Sequence, residues 1–281
     1  MSKYLLRFFC WSAFALAVSA SASAAPASLR LYALDCGRAE FQDMGMFSDT
    51  GEYDGKPGAI ADPCFLIVHP RGVLLWDTGL GDALAAQREG KDAGHGIRLH
   101  VDTPLAQQLH ELKLTPEQIS FVGFSHLHFD HTGNAGLFEK SRWLINKHEL
   151  AAALSDSPPF GVDPGFLKGH DMSTVEQIED DFDVFGDGAV QMLKAPGHTP
   201  GHEVLLIKLP RSGAVLLSGD LYHTRDNRRL HRVPRVNTDR ADTLASFDRI
   251  ERIVTNEHAR VIVQHDPEDF ASLPKFPQFL E

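Results

Sequence analysis

Basic residues are scarce in this chain of 281 residues, which has 27 Lys and Arg against 38 Asp and Glu and a formal net charge of −11. Nucleic-acid binding depends on clustered Lys and Arg that neutralise phosphates, so the deficit argues against such a partner. Small molecules remain open as ligands. With 43% apolar and 23% charged residues, the composition is that of an ordinary globular protein, and no low-complexity linker divides it.

Cysteine is also scarce, with three in the chain, and Cys10 stands in an apolar run from Phe8 to Val18. Lys3 and Arg7 precede this run, and small residues follow it. That order is typical of a secretory signal peptide, and the run is too short for a comfortable transmembrane span. We therefore predict a signal peptide over residues 1–24, with a retained anchor as the alternative.

Cleavage after Ala24 would leave one domain over residues 25–281, periplasmic or secreted, with no membrane partner. Because the signal carries two basic residues and no acidic ones, its removal makes the net charge −13. Cys36 and Cys64 remain, in a compartment where a disulfide can persist. Two small buried thiols are the alternative, and the sequence does not choose between them.

Apolar runs bounded by turn residues predict a series of strands. They lie at Leu29–Leu34, Cys64–His69, Val73–Trp76, Ile119–Phe124, Trp143–Ile145, Val190–Leu193, Val204–Leu209, Val215–Leu217 and Val261–Val263.

Two helices are predicted among these strands. One runs from Pro104 to Leu112 with Asp102 or Thr103 as its cap, and a long amphipathic one runs from Arg240 to Asn256. Strands followed by a helix and a final strand occur twice. This order predicts an α/β fold in which two sheets pack face to face with helices outside, an αββα sandwich.

Two long segments, Arg38–Asp62 and Ser155–Asp183, are rich in Gly, Pro and Asp and do not fit this scheme. We predict long loops there, which are often functional. Their apolar residues either line a pocket or fix the loops to the core. These residues are Met44, Met46, Phe47, Phe160 and Phe166.

The chemistry-bearing motif is His126-Leu127-His128-Phe129-Asp130-His131, directly after the Ile119–Phe124 strand. Four potential ligands in six residues can converge from a tight turn onto one point. Imidazole and carboxylate are the non-thiolate ligands that zinc prefers. The motif therefore predicts a metal site.

Three further candidates follow predicted strands, where open sheets commonly build sites. His198, Asp220 and His265 each stand just past an apolar run. Seven ligands are too many for one four-coordinate zinc and suit two metals that share a carboxylate.

These motifs resemble those of the metallo-β-lactamase-fold hydrolases, and most closely the N-acyl-homoserine lactonases that degrade quorum-sensing signals. The resemblance runs from about Leu31 to Asp266. It rests on Pro63-Cys64-Phe65-Leu66, on Trp76-Asp77-Thr78-Gly79, on Ser125 to Asn134 and on Pro196 to His202.

The resemblance implies two zinc ions per chain in a cleft between the sheets. One zinc would take His126, His128 and His198, and the other Asp130, His131 and His265. Asp220 and a hydroxide would bridge them. Asp77 matches a carboxylate that orients a metal-binding histidine, or else is only a turn residue. His202 is expected to be structural or to support a ligand from behind. The remaining histidines apart from His223, including His95, His100 and His170, are expected to lie at the surface or in packing.

One position departs from the family pattern. The lactonases carry a tyrosine three residues after the bridging aspartate, whereas this chain has His223 there and Tyr222 one residue earlier. Either residue could contact the substrate carbonyl, or substrate handling differs.

The implied reaction is attack of the bridging hydroxide on a lactone or ester carbonyl, with Asp130 passing a proton to the leaving oxygen. An acyl tail would lie against Met44, Met46 and Phe47. The expected partner is thus a small lactone or ester, with a homodimer as a further possibility. Alternatives are another ester, a thioester or a β-lactam as substrate on the same site, or a non-enzymatic zinc-binding protein.

Overall fold

The computed structural model describes residues 28–281. The predicted signal peptide and Cys10 therefore lie outside the described residues. Within the described part, no helix combines the length and apolarity needed to cross a membrane.

Thirteen strands form in this part of the chain. They are β1 (Arg30–Phe41), β2 (Gly58–His69), β3 (Gly72–Trp76), β4 (Lys91–Gly94), β5 (Ile97–His100), β6 (Phe121–Gly123), β7 (Arg142–Asn146), β8 (Val175–Ile178), β9 (Phe182–Asp183), β10 (Val190–Lys194), β11 (Glu203–Leu209), β12 (Gly213–Leu217) and β13 (Arg260–Ile262).

Six α-helices connect or flank the strands. They are α1 (Leu105–Glu111), α2 (Phe129–Thr132), α3 (Lys147–Ala153), α4 (Arg225–Leu230), α5 (Arg240–Glu257) and α6 (Pro267–Ala271).

The strands make two sheets, one of eight strands in the order β4-β5-β1-β2-β3-β6-β7-β8 and one of five in the order β13-β12-β11-β10-β9. A buried apolar layer between them includes Phe65 and Trp76 of the first sheet and Met192, Leu205 and Leu217 of the second. Burial of this layer supplies the main driving force for joining the sheets.

Helices cover the two outer faces. Leu105 and Leu109 of α1 pack under the first sheet, and Phe247 and Ile250 of α5 pack on the second. The predicted αββα sandwich is therefore confirmed. Each predicted strand overlaps an observed one, and α5 ends one residue beyond its predicted end.

The predicted cap of the first helix is wrong. Pro104 is the N-cap of α1, and it offers no side-chain hydrogen bond. Instead, the Asp82 carboxylate accepts hydrogen bonds from the backbone N–H groups of Leu105 and Ala106, at 2.7 and 3.1 Å. A residue distant in sequence satisfies the free N–H groups of this helix, so local spacing could not reveal it.

The predicted loop over Arg38–Asp62 is wrong at both ends. β1 and β2 pair antiparallel as far as Phe41 and Gly58, so the connection is shorter than expected. The second predicted loop, Ser155–Asp183, also contains strand, since β8 and β9 lie within it.

A β-bulge interrupts the pairing of β1 with β2. Asp35 pairs with Pro63 and Arg38 with Ala61, so two residues of β1 face the single residue Asp62. Cys36, inside the bulge, is disulfide-bonded to Cys64. The structure thus shows the bonded alternative for these cysteines.

Candidate metal centre

Four loops at one edge of the two sheets bring the predicted ligands together. The six-residue motif follows β6 and leads into α2, whereas His198 follows β10, Asp220 follows β12 and His265 follows β13. Ends of neighbouring strands meet at one sheet edge, which is why residues more than a hundred positions apart become neighbours.

The first donor group consists of His126, His128, His198 and Asp220, whose ligand atoms lie within 4.8 Å of one another. All four side chains are buried. His198 Nε2 lies 3.3 Å from His128 Nδ1 and 3.3 Å from Asp220 Oδ2. Three imidazoles and a carboxylate therefore face one point.

The second donor group consists of Asp130, His131, His265 and the other oxygen of Asp220. Asp220 Oδ1 lies 3.2 Å from His131 Nε2 and 2.9 Å from His265 Nε2. Asp130 Oδ2 lies 4.0 and 3.9 Å from the same two nitrogens. Asp220 thus turns one oxygen to each group, which is the geometry a bridging carboxylate requires.

The donor set fits metal ions. His126 Nε2 and Asp220 Oδ1 are buried and have no hydrogen-bond partner in the described part of the chain. Buried polar atoms without partners are costly, and a metal ion satisfies both kinds. Burial also holds the pKa of His126 and of His128 well below the ordinary value, so both imidazoles are neutral, the form that binds metal.

His131 is held from behind by Asp77. Its Nδ1–H donates to Asp77 Oδ2 at 2.9 Å, which turns Nε2 toward the donor groups. The same carboxylate accepts hydrogen bonds from the backbone N–H of Ser125 and from Gln264 Nε2, both at 2.7 Å. Burial opposes protonation of His131, but the charges of Asp77 and Asp220 outweigh it and raise its pKa well above the usual range.

His202 holds Asp220 rather than joining a donor group. Its Nε2 accepts the backbone N–H of Asp220 at 2.9 Å, so its Nδ1–H donates to the Ala195 carbonyl at 3.1 Å. Burial lowers the pKa of His202 to about 3, which keeps the ring neutral. The expected structural role fits this position.

The structure separates Tyr222 from His223. Tyr222 is wrong as a substrate-contact residue, because its ring packs on Phe247 and its hydroxyl donates to Glu251 at 2.9 Å, away from the donor groups. His223 Nε2 lies 2.9 Å from Asp220 Oδ2, and its ring lies beside that of Phe47. Of the two candidates, only His223 is at the site.

An apolar cleft with a volume of about 110 Å³ opens over the donor groups, and Met46 and Phe47 line it as predicted. Met44 is wrong as a lining residue, because it packs beside Gly58 and borders a different depression. Of the two loop phenylalanines, Phe160 lines the cleft and Phe166 packs on Phe124 and Trp143.

Sequence reasoning missed several cleft residues, among them Ile97, Leu99 and Asp62. Ile97 and Leu99 of β5 reach the cleft from a strand that the sequence did not predict. Asp62 also lines it and groups with His131 and His265, its ligand atom within 4.8 Å of theirs. Burial and the nearby charge of Asp130 raise the pKa of Asp62 well above its usual range.

Comparison with known proteins agrees with this geometry. Residues 59–265 match the model of the metallo-beta-lactamase superfamily. The N-acyl homoserine lactonase AttM of Azorhizobium caulinodans is 28% identical over 264 residues, which covers 90% of this chain and 99% of that protein. AiiA, an N-acyl homoserine lactonase of Bacillus thuringiensis subsp. kurstaki, is 29% identical over 77% of this chain and 86% of its own length.

A solved structure of an N-acyl homoserine lactone hydrolase, with the product N-hexanoyl-L-homoserine bound at its catalytic metal center, is also similar. It has a TM-score of 0.78 and 27% identity over 89% of this chain and 98% of that one. The superfamily match spans most of the chain and contains all seven predicted donors. The chain therefore belongs to the metallo-beta-lactamase superfamily.

Proposed function

We propose that this protein is a zinc-dependent lactonase that hydrolyses N-acyl-homoserine lactones and so quenches quorum-sensing signals. The observation that carries the proposal is Asp220, which turns one oxygen to each of two donor groups at the base of an apolar cleft. The lactonases that this chain resembles over most of its length support the substrate class.

His126, His128 and His198 would hold one zinc ion, Asp130, His131 and His265 the other, and Asp220 both. When bound, two adjacent zinc ions acidify water to give a nucleophile and polarise the carbonyl under attack. The chain's own contribution is to fix these donors. Asp77 fixes the ring of His131, and His202 fixes the backbone of Asp220.

His223 is the polar group we assign to the substrate carbonyl. Its Nε2 lies 2.9 Å from Asp220 Oδ2 and so faces the donor groups, and once metal ions take the Asp220 oxygens its N–H is free to donate to the carbonyl. Phe47 packs against its ring and limits its movement. A donor held in place before the reaction stabilises developing negative charge without reorganisation.

Asp130 is the group we assign to proton transfer. Its side chain is 18% exposed, whereas Asp220 is 3% exposed, so of these two cleft-lining carboxylates Asp130 is the more open to the cleft. From there it can take up the proton that the attacking water releases and pass it to the ring oxygen that leaves. The acyl chain would lie against Met46, Phe47 and Leu99.

The test is hydrolysis by the purified, zinc-loaded protein. We expect ring opening of homoserine lactones, measured by proton release, with slower turnover of aryl esters and of a β-lactam. An Asp220→Ala variant that keeps its circular dichroism spectrum is the control and should be inactive. A zinc-loaded protein that opens no lactone of either short or long acyl chain would refute the assignment.

We also propose that the chain is exported and loses residues 1–24. The Cys36–Cys64 disulfide supports this, because such bonds persist in oxidising compartments. Mass spectrometry of the protein from cell fractions should find an N-terminus at Ala25 outside the cytoplasm. Sedimentation of the same material tests whether the chain forms a homodimer.

A further inference from the structure

Asp62 has the features of a ligand that the seven-residue set does not include. It is 2% exposed, and its Oδ2 is buried without a hydrogen-bond partner in the described part of the chain. Its ligand atom lies within 4.8 Å of those of His131 and His265. A buried carboxylate oxygen that lies near two imidazoles and receives no hydrogen bond is costly to bury, and a bound cation would offset that cost.

The backbone on both sides of Asp62 is tied to the His265 loop. Ala61 donates its N–H to the His265 carbonyl at 3.0 Å and accepts the His265 Nδ1–H at 2.6 Å. The Pro63 carbonyl accepts a hydrogen bond from Gln264 at 3.4 Å. These contacts fix Asp62 relative to His265.

A β-bulge lies opposite Asp62 in the sheet. Asp62 is the single residue of β2 that faces two residues of β1, so the extra residue belongs to β1. Bulges are frequent next to active sites. The irregular pairing therefore falls at the residue that contributes the carboxylate.

We propose that Asp62 is a further ligand of the second donor group. That group then offers three carboxylates, from Asp62, Asp130 and Asp220, beside two imidazoles. The first donor group offers three imidazoles and one carboxylate. Because carboxylate oxygens suit Mn²⁺ and imidazoles suit zinc, the two positions differ in metal preference.

The inference rests on the proposed dinuclear centre and not on the substrate, so its test uses metal binding instead of turnover. The purified protein is stripped with a chelator and titrated with Zn²⁺ or with Mn²⁺, and bound metal is counted by mass spectrometry. We expect the wild-type protein to take up two zinc ions per chain, and Mn²⁺ to bind at the second position of protein that already holds one zinc.

Asp62→Asn keeps the shape of the side chain and removes its charge. This variant should bind the first zinc ion with unchanged affinity and the second about tenfold or more weakly. Removing a residue that only orients a metal ligand already costs about tenfold, so removing a ligand should cost at least as much. The loss for Mn²⁺ should be larger than for zinc, a difference that a merely structural role would not produce. Asp62→Ser, which has no carboxylate or amide, should behave in the same way.

Glu203→Gln is the matched control, because Glu203 is equally buried and lies outside both donor groups. Burial raises the pKa of Glu203 to about 8, so its neutral replacement should be tolerated. It should bind both metals as the wild-type protein does. Circular dichroism of the stripped proteins establishes folding before metal is added.

Unchanged affinity for the second ion in a folded Asp62 variant would overturn the proposal. A wild-type protein that binds fewer than two ions would overturn it together with the dinuclear centre. Failure to hydrolyse lactones would refute the proposed function alone and would leave the metal titrations as they are.

Discussion

At the scale of single residues, the order Tyr222-His223 decides which side chain faces the cleft. The backbone is extended at Tyr222, with φ −133° and ψ 126°, so consecutive side chains point to opposite sides. Tyr222 points to α5, and His223 points to the cleft. Moving the tyrosine by one position in the sequence therefore places it in the core and puts a histidine at the site.

His223→Phe should lower kcat on a lactone about a hundredfold, the usual cost of losing a donor to the developing oxyanion. Tyr222→Phe should keep kcat and lose about 1 kcal/mol of unfolding free energy with its hydrogen bond to Glu251. Steady-state kinetics and urea unfolding measure the two. The opposite pattern, with kcat lost in the Tyr222 variant alone, would contradict the assignment.

Asp77→Asn should weaken metal binding roughly 10–100-fold, because His131 would lose the charged partner that orients its ring. Competition with a chromogenic chelator measures this affinity. Asp183→Asn is the control, since Asp183 accepts backbone hydrogen bonds from Gly186 and Gly188 away from the donor groups. Equal affinity in the two variants would show that Asp77 is only a turn residue.

Spacing in the sequence predicted seven donors but could not predict Asp62. The motif residues and the three later ligands follow apolar strands, which is a pattern that can be read directly. Asp62 lies within a strand, and its position beside His265 depends on contacts with backbone carbonyls between residues that lie 201 and 204 positions apart. The prediction that Met44 lines the cleft was wrong for a related reason, because the path of a loop decides which of its apolar residues face the cleft.

At the scale of elements, the start of α5 positions His198, a candidate metal ligand. Thr238 donates its backbone N–H to the carbonyls of Gly197 and His198, both at 3.0 Å. Gly197 has a φ of +134°, and a Cβ there would lie 2.2 Å from the backbone nitrogen of Thr243. Only glycine lets the helix approach the His198 loop so closely.

Gly197→Ala should therefore cost roughly 2 kcal/mol or more of stability and disturb His198. The unfolding free energy measured in urea and the affinity for zinc should both fall. Gly213→Ala is the control, because its φ is +78° and a Cβ there meets nothing within 4 Å. It carries the backbone strain without the clash, so equal losses in both variants would refute the positioning role of Gly197.

A second contact between elements joins α4 to α5. Arg228 donates to both oxygens of Glu251, at 2.7 and 3.0 Å, and these bonds, with that from Tyr222, hold the pKa of Glu251 below its usual value. A carboxyl group with a lowered folded-state pKa stabilises the fold above its unfolded pKa, and this contribution is lost as pH falls through the folded pKa.

Glu251→Gln should lower the unfolding free energy by about 1 kcal/mol at neutral pH, a figure reduced for partial exposure. The difference from the wild-type protein should shrink on acidification. Urea unfolding of both proteins from neutral pH downward measures this difference. The control is Glu257→Gln, at the end of the same helix α5. It breaks an exposed ion pair with Lys208 of β11 and should change the unfolding free energy little at any pH.

Apolar runs predicted the centres of strands better than their ends. Arg38-Ala39-Glu40-Phe41 alternates polar with buried apolar residues, so the signal of a half-exposed strand was present there. β4 is exposed along its whole length, and its residues carry no such signal. Pairing with β5 alone makes it a strand.

At the scale of the whole molecule, both sheets contribute to each donor group. His131 and Asp130 follow a strand of the first sheet, whereas His265 follows a strand of the second. Metal held by these donors would therefore join the two halves of the sandwich and link metal binding to folding.

Removal of metal should lower the unfolding temperature. Each site contributes about 2.7 kcal/mol when the free ion is a hundredfold above its Kd, provided that the unfolded chain does not bind it. Differential scanning calorimetry with and without chelator measures the shift, and addition of Mg²⁺ in place of zinc is the control. An unchanged unfolding temperature would show that the donors do not couple the two sheets.

The layer arrangement was predictable because apolar patterning reports which faces are buried. The order of strands, helix and strand, twice over, limits the chain to few sheet arrangements. Which loop approaches which was not predictable, since that depends on pairings such as β3 with β6 and β12 with β13.

The division of donors between the two parts of the chain has a practical consequence. Leu154 and the next residues are exposed, and they separate the segment carrying the six-residue motif from the segment carrying His198, Asp220 and His265. A chain cut there would yield two fragments, each with an incomplete donor set. Metal-dependent hydrolysis would return only when the two fragments reassemble. Proteins fused to the two fragments would then report by this activity that they are close together.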